Sequence, residues 1–154
     1  MHLQFFMTES DIDGILGIER ACFPAPWRRQ SFLEEIKNPY SLCMLIKEND
    51  VLENSAIWAY SCCHVLAGEM TLLRLAVTPE KHRKGLGALL LGAVLDEAVR
   101  RGAVKVYLEV RTSNMQAQTF YRKQGFRVVG TRPNYYPKTG EDALVMMKSL
   151  KEIS

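Results

Sequence analysis

The sequence predicts a single mixed α/β (α+β) domain, a β-sheet covered by helices that alternate with its strands along the chain. Three observations carry this. Segments with apolar residues at helical spacing are interleaved with short apolar runs that read as strands. Three consecutive runs in the first half are joined by short polar turns, which favours an antiparallel meander. The segment from Met70 to Val110 reads strand, helix, strand, a unit that normally joins two parallel strands by a right-handed crossover. A length of 154 residues suits one domain, 1–154, large enough to bury a core without disulfides or metals.

Leu3 to Met7 is a short apolar strand. Thr8 and Ser10 then offer N-caps, and Asp11 and Asp13 suit a first helical turn. Ile12, Ile15, Leu16 and Glu19 continue the helical spacing to about Cys22, where Pro24 and Pro26 break it. A second helix spans Arg29 to Lys37, with Phe32, Leu33 and Ile36 on one face, and Asn38-Pro39 ends it. Strands follow at Ser41 to Lys47, Ala56 to Leu66 and Met70 to Thr78, with turns at Glu48-Asn49-Asp50 and Ala67-Gly68. The clearest helix runs from Gly85 to Arg101 and stops at Gly102. A strand at Val104 to Val110, a helix at Asn114 to Gln124 stopped by Gly125, and strands at Phe126 to Thr131 and Ala143 to Met147 complete the order β-α-α-β-β-β-α-β-α-β-β.

Composition narrows the function classes. The chain is 47% hydrophobic and 24% charged, ordinary for a globular domain, and no apolar run approaches the roughly 18 residues of a membrane span. The N-terminus lacks the basic region and cleavage site of a signal peptide, so the expected location is the cytoplasm, with no membrane partner. A net charge of +3 without a basic stripe argues against a nucleic-acid partner. Cys22, Cys43, Cys62 and Cys63 form no C-x-x-C pair, and His2, His64 and His82 share no ligand spacing with them. The expectation is buried free thiols and no metal.

The loop His82-Arg83-Lys84-Gly85-Leu86-Gly87-Ala88 carries chemistry. It lies between a strand and a long helix and holds two glycines and two cations. The first amides of a helix have no intrahelical partner and sit at the positive end of its dipole. Glycine removes the side chains that would keep a phosphate away, so the loop reads as an anion site. It is not a Walker loop, and Leu90 stands where a dinucleotide fingerprint needs its third glycine. Taken alone, the loop is equally a flexible helix start with incidental glycines.

The loop resembles the Q/R-x-x-G-x-G/A signature of the GNAT superfamily of acyl-CoA N-acyltransferases, with His82 in place of the usual Gln or Arg. The strand Leu75-Ala76-Val77-Thr78-Pro79 precedes it as in that superfamily, and the order of elements follows the superfamily along essentially the whole chain. The chain is most similar to the ribosomal-protein-alanine N-acetyltransferases, the RimI-like group. The stretches that carry this are Phe23-Pro24-Ala25-Pro26-Trp27, Leu108 to Asn114 leading to Phe120 to Phe126, Arg132-Pro133-Asn134-Tyr135-Tyr136-Pro137, and Glu141-Asp142-Ala143.

The resemblance implies a central, mostly antiparallel twisted sheet with a parallel strand pair at the cofactor cleft and helices on both faces. It implies direct transfer of acetyl from acetyl-CoA to a protein N-terminus, an alanine of a ribosomal protein, by a monomer or weak dimer. Glu109 is then the general base, acting through water, and Tyr121 the general acid to the CoA sulfur; otherwise they are an exposed strand acid and a core aromatic. A phenol suits the second role because it stays protonated at neutral pH yet can release its proton. The backbone of Leu75, Ala76 and Val77 would pair with the pantetheine arm, and an amide there could hold the thioester oxygen. Arg83, Lys84, Gly85, Leu86, Gly87 and Ala88 would take the pyrophosphate, and Asn114, also a natural N-cap, would bond the pantetheine. Trp27, Tyr135 and Tyr136 are candidates to grip the acceptor, and Glu69 and Asp142 are acids that could attract a cationic one. Two other readings stay open: an acetyltransferase of a small amine or a lysine side chain, and an acyl-CoA-binding module without catalysis.

Overall fold

The computed structural model describes residues 2–4, 6–48 and 56–150. Among them one seven-stranded sheet runs in the order β1-β2-β3-β4-β5-β7-β6. The strands are β1 (His2–Gln4), β2 (Ser41–Lys47), β3 (Ile57–Leu66), β4 (Glu69–Val77), β5 (Lys105–Arg111), β6 (Arg127–Tyr136) and β7 (Glu141–Ser149). The helices are α1 (Ile12–Cys22), α2 (Arg29–Lys37), α3 (Leu86–Arg100) and α4 (Met115–Lys123). β1 to β4 form an antiparallel meander, β4 and β5 are parallel, and β5, β7 and β6 are antiparallel. The element order and the parallel pair agree with the sequence expectation.

Several boundaries differ, each for a local reason. The first strand ends at Gln4, and Met7 is buried outside it. A single 3-10 turn, Glu9–Asp11, precedes α1; the Asp11 carboxylate accepts from the Thr8 amide at 2.9 Å and from its hydroxyl at 3.0 Å. Asn49 and Asp50 of the expected turn lie outside the described residues. β6 continues past Thr131 to Tyr136 although it contains Pro133. It lies at the sheet edge, where a missing amide leaves no ladder bond broken.

Alternation along the inner strands builds two cores. Leu42, Met44 and Ile46 of β2 pack toward α3, whose Leu90, Leu91 and Val94 are buried against them. Side chains of this size contribute about 1.5–3 kcal/mol each on full burial. Cys43 and Leu45 face the other way, toward Ile12, Ile15 and Phe32 of α1 and α2. Helices therefore cover both faces. No helix among the described residues is long and apolar enough to cross a membrane.

Two irregularities shape the middle of the sheet. Cys62 pairs with Arg74 but Cys63 with Leu72, so Leu73 is an extra residue in β4. The bulge inverts the alternation: Met70 and Leu72 belong to the α3 side, but beyond it Leu75 and Val77 do, while Ala76 packs on the α1 side. β4 also pairs with β5 only over Glu69–Thr71 and Lys105–Tyr107. Beyond that point the two strands part, and a cleft opens between them.

Candidate active site

The cleft, of about 820 Å³, is walled by β4 from Leu72 to Val77, by β5 from Leu108 to Arg111, by the start of α3 and by one face of α4. Of the residues expected at a site, Leu75, Ala76, Val77, Arg83, Gly85, Leu86, Gly87, Ala88, Glu109, Asn114, Tyr121 and Tyr136 line it together. Lys84 is exposed and does not line it.

In the loop from His82 to Ala88, Arg83 and Gly85 take left-handed conformations, with φ of 63° and 76°. Gly85 caps α3 and no side chain caps the helix, so the first-turn amides have no intrahelical partner. Such amides, at the positive end of a helix dipole, can take an anion. His82, the departure from the family signature, pins the loop to the end of β4, with its Nε2 2.7 Å from the Val77 carbonyl. The Cys22 thiol donates to the same carbonyl at 3.4 Å. Pantetheine pairing along Leu75 to Val77 must then use other backbone groups.

β5 alternates cleanly. Val106, Leu108 and Val110 are buried in the α3-side core, so Glu109 projects from the opposite face. Its carboxylate is a quarter exposed and receives Arg132 Nε at 3.0 Å. Tyr135 directs its hydroxyl at the same carboxylate, whose hydrogen bond holds the phenol's pKa up to about 12. Tyr121 packs on the α3 side, edge-on to Phe120 at 5.1 Å and to Phe126 at 5.5 Å, and desolvation pushes its phenol above the usual range. Gln118 is buried and donates to the carbonyls of Arg111 (3.0 Å) and Thr112 (2.9 Å), fixing α4 to the end of β5. Asn114 Oδ1 accepts from the Ala117 amide at 3.1 Å, as an N-cap should, while its residue also faces the cleft.

The aromatic candidates separate. Tyr136 lines the cleft with Arg111 stacked 3.8 Å from its ring centre. Tyr135 turns to Glu109 instead of the cleft wall. Trp27 lies in an adjoining groove of about 670 Å³, packed on Phe32 at 5.3 Å and beneath the Arg74 guanidinium at 4.8 Å. Of the two further acids, Asp142 accepts from the Asn134 amide at 2.8 Å and Glu69 faces Lys105 at 3.8 Å.

Sequence reasoning missed Arg74 and Arg111 on the cleft wall, and the buried group that holds Arg74. Glu19 is fully buried; it accepts from the Tyr60 hydroxyl and from the Trp27 amide at 2.8 Å, and pairs with Arg74 Nη2 at 3.2 Å. The available signal was Glu19 itself, an acid on the apolar stripe of α1.

The parallel pair parts beside the start of α3, with the Glu109 carboxylate on one side of the sheet and the Tyr121 phenol on the other. The chain belongs to the acetyltransferase (GNAT) family, whose model matches residues 12–126, and it is an N-acetyltransferase. It is 34% identical over 142 residues, 91% of this chain and 92% of the relative, to the ribosomal protein bS18-alanine N-acetyltransferase of Escherichia coli K12. The enzyme of the same name from Haemophilus ducreyi is 31% identical over 143 residues, 91% of this chain and 94% of the relative. The crystal structure of the Escherichia coli ribosomal-protein-S18-alanine N-acetyltransferase superposes with a TM-score of 0.86 at 30% identity, over 99% of this chain and 96% of that one.

Proposed function

We propose that this enzyme transfers acetyl from acetyl-CoA to the α-amino group of an N-terminal alanine on a ribosomal protein of the bS18 kind, in the cytoplasm. The observation that carries the reading is the gap between β4 and β5. Tyr121 and the anion loop stand on its α3 side and Glu109 on the other, so donor and acceptor can approach from opposite faces and meet within the sheet. The residues fit the donor: the amides of the α3 start and Arg83 suit a pyrophosphate, and the apolar wall of Leu75, Val77 and Phe120 suits a pantetheine arm. Acetyl-CoA supplies an activated thioester.

The residues of this chain manage the protons. An α-amine titrates near about 7.7–8.0, so a carboxylate acting through water suffices to take its proton. Tyr121 stays protonated at neutral pH and can give its proton to the departing thiolate. A backbone amide of β4 would stabilise the thioester oxygen as charge develops.

Of the charged residues on the cleft wall, Arg74 is paired with Glu19, Arg111 with Glu141 and Glu109 with Arg132. A peptide-library screen with acetyl-CoA tests the reading. Turnover should concentrate on peptides that begin with Ala. Failure of all N-termini while a small amine or a lysine side chain is acetylated well would refute it, and acetyl-CoA binding without any turnover would revive a non-catalytic role.

A further inference from the structure

Strand β6 departs from its ladder two rows beyond Glu109, just past the row of Arg111, Ala143 and Arg132. Arg132 pairs with Ala143 and Tyr136 with Glu141, so β6 spends two more residues than β7 over this interval. The arch contains Pro133, which has no amide to donate, and Asn134, held at a left-handed φ of 52° while its amide donates to Asp142 Oδ1 at 2.8 Å. A left-handed Asn costs energy unless its surroundings compensate, and Asp142 does so here. Arg132, at the start of the arch, has its Nε 3.0 Å from Glu109 Oε1 and its guanidinium 5.9 Å from the Tyr135 ring centre.

We propose that Arg132 is a positioning residue for Glu109, and that the β6 arch exists to hold it there. This rests on the reading of Glu109 as the base. A cation held on β6 fixes the rotamer of a carboxylate that is a quarter exposed, and so fixes the lone pair it offers to the water or amine beside it. Tyr136, on the cleft wall, is left to face the acceptor. The charged groups that act on Tyr136 are Glu109 and Arg111 on β5, Glu141 on β7 and Arg74 on β4.

The test is steady-state kinetics of the full chain with acetyl-CoA and an Ala-terminal peptide, for Glu109→Gln, Arg132→Gln, Arg132→Lys and the double variant Glu109→Gln/Arg132→Gln. Arg132→Gln should lower kcat roughly tenfold, since a base worth about 10² to 10⁴ is misaligned rather than removed. The KM for peptide should change little. Arg132→Lys, which restores a cation beside the carboxylate, should recover most of kcat. Arg132→Gln should cost nothing further once Glu109 is Gln. Unchanged kcat and a raised peptide KM in Arg132→Gln, with Glu109→Gln inactive, would overturn the proposal and make β6 an acceptor grip alone. Full activity in Glu109→Gln would remove the base reading itself, and the positioning role with it.

Discussion

The buried carboxylate of Glu19 and the guanidinium of Arg74 meet at 3.2 Å, tying α1 to the stretch of β4 just beyond its bulge. The pair holds together three parts of the cleft rim. Glu19 also accepts from Tyr60 and from the Trp27 amide, and Arg74 lies 4.3 Å from the Phe23 ring centre and reaches the Ala25 carbonyl at 3.3 Å. The Phe23 to Trp27 segment is therefore shaped by a charge pair beneath it. Removing one member of a buried pair strands the other. Glu19→Ala should lower stability by about 3–5 kcal/mol in denaturant unfolding. Glu19→Gln, which keeps an acceptor for Tyr60, should lose less.

Two glycines of the anion loop should behave differently. Gly85 has a φ of 76°, so Gly85→Ala places a side chain in a left-handed residue at a cost of about 1–2 kcal/mol and shifts the first-turn amides. Gly87 has an ordinary φ, and a Cβ there would meet Phe120 and Val77 at 3.5 and 3.8 Å, ordinary contact distances within the cleft. Gly87→Ala should keep the melting temperature and raise the Kd for acetyl-CoA. Thermal unfolding paired with calorimetric titration separates the two.

Tyr121→Phe removes one hydroxyl from a ring packed between Phe120 and Phe126. The fold should be retained, with near-unchanged acetyl-CoA binding, while kcat falls about 10² to 10⁴ fold, the usual size of a lost general acid. A stopped assay with the wild-type thermal midpoint as control checks this.

The thiols offer a probe of the cleft that does not need turnover. A hydrogen bond with the buried Cys43, then burial, pushes Cys62 well above the ordinary thiol range, and burial does the same to Cys63. These three should stay unreactive to a thiol reagent in the native protein. Cys22 lines the cleft, with a pKa raised by burial and by the nearby Glu19, and should react slowly. Acetyl-CoA should slow it further. Rapid reaction of Cys22 that acetyl-CoA leaves unchanged would place the donor elsewhere.

Much of this architecture was legible because local rules and tertiary structure agree. Proline and glycine mark the ends of α1, α2, α3 and α4 within a residue or two, and the strand–helix–strand unit does give the parallel β4–β5 pair. The insertion of β7 between β5 and β6 was not legible, since no local signal orders strands across a sheet. Nor was the bulge at Leu73, whose one extra residue sends Arg74 to the α1 face, because Met70 to Thr78 reads as one continuous strand. The loop from His82 to Ala88 stood out by its glycines and cations. Arg132 was quoted only as part of a resemblance, and its contact with Glu109 depends on an arch held by Asp142, a long-range relation that periodicity does not encode.

The most direct test of the account is the position of the acetyl group on one peptide. A peptide with a free N-terminal Ala and an internal Lys, incubated with acetyl-CoA and this enzyme, is mapped by tandem mass spectrometry. The account predicts a single acetyl on the α-amine of Ala, and its loss in Glu109→Gln. Acetyl on the lysine side chain with a free N-terminus would contradict it.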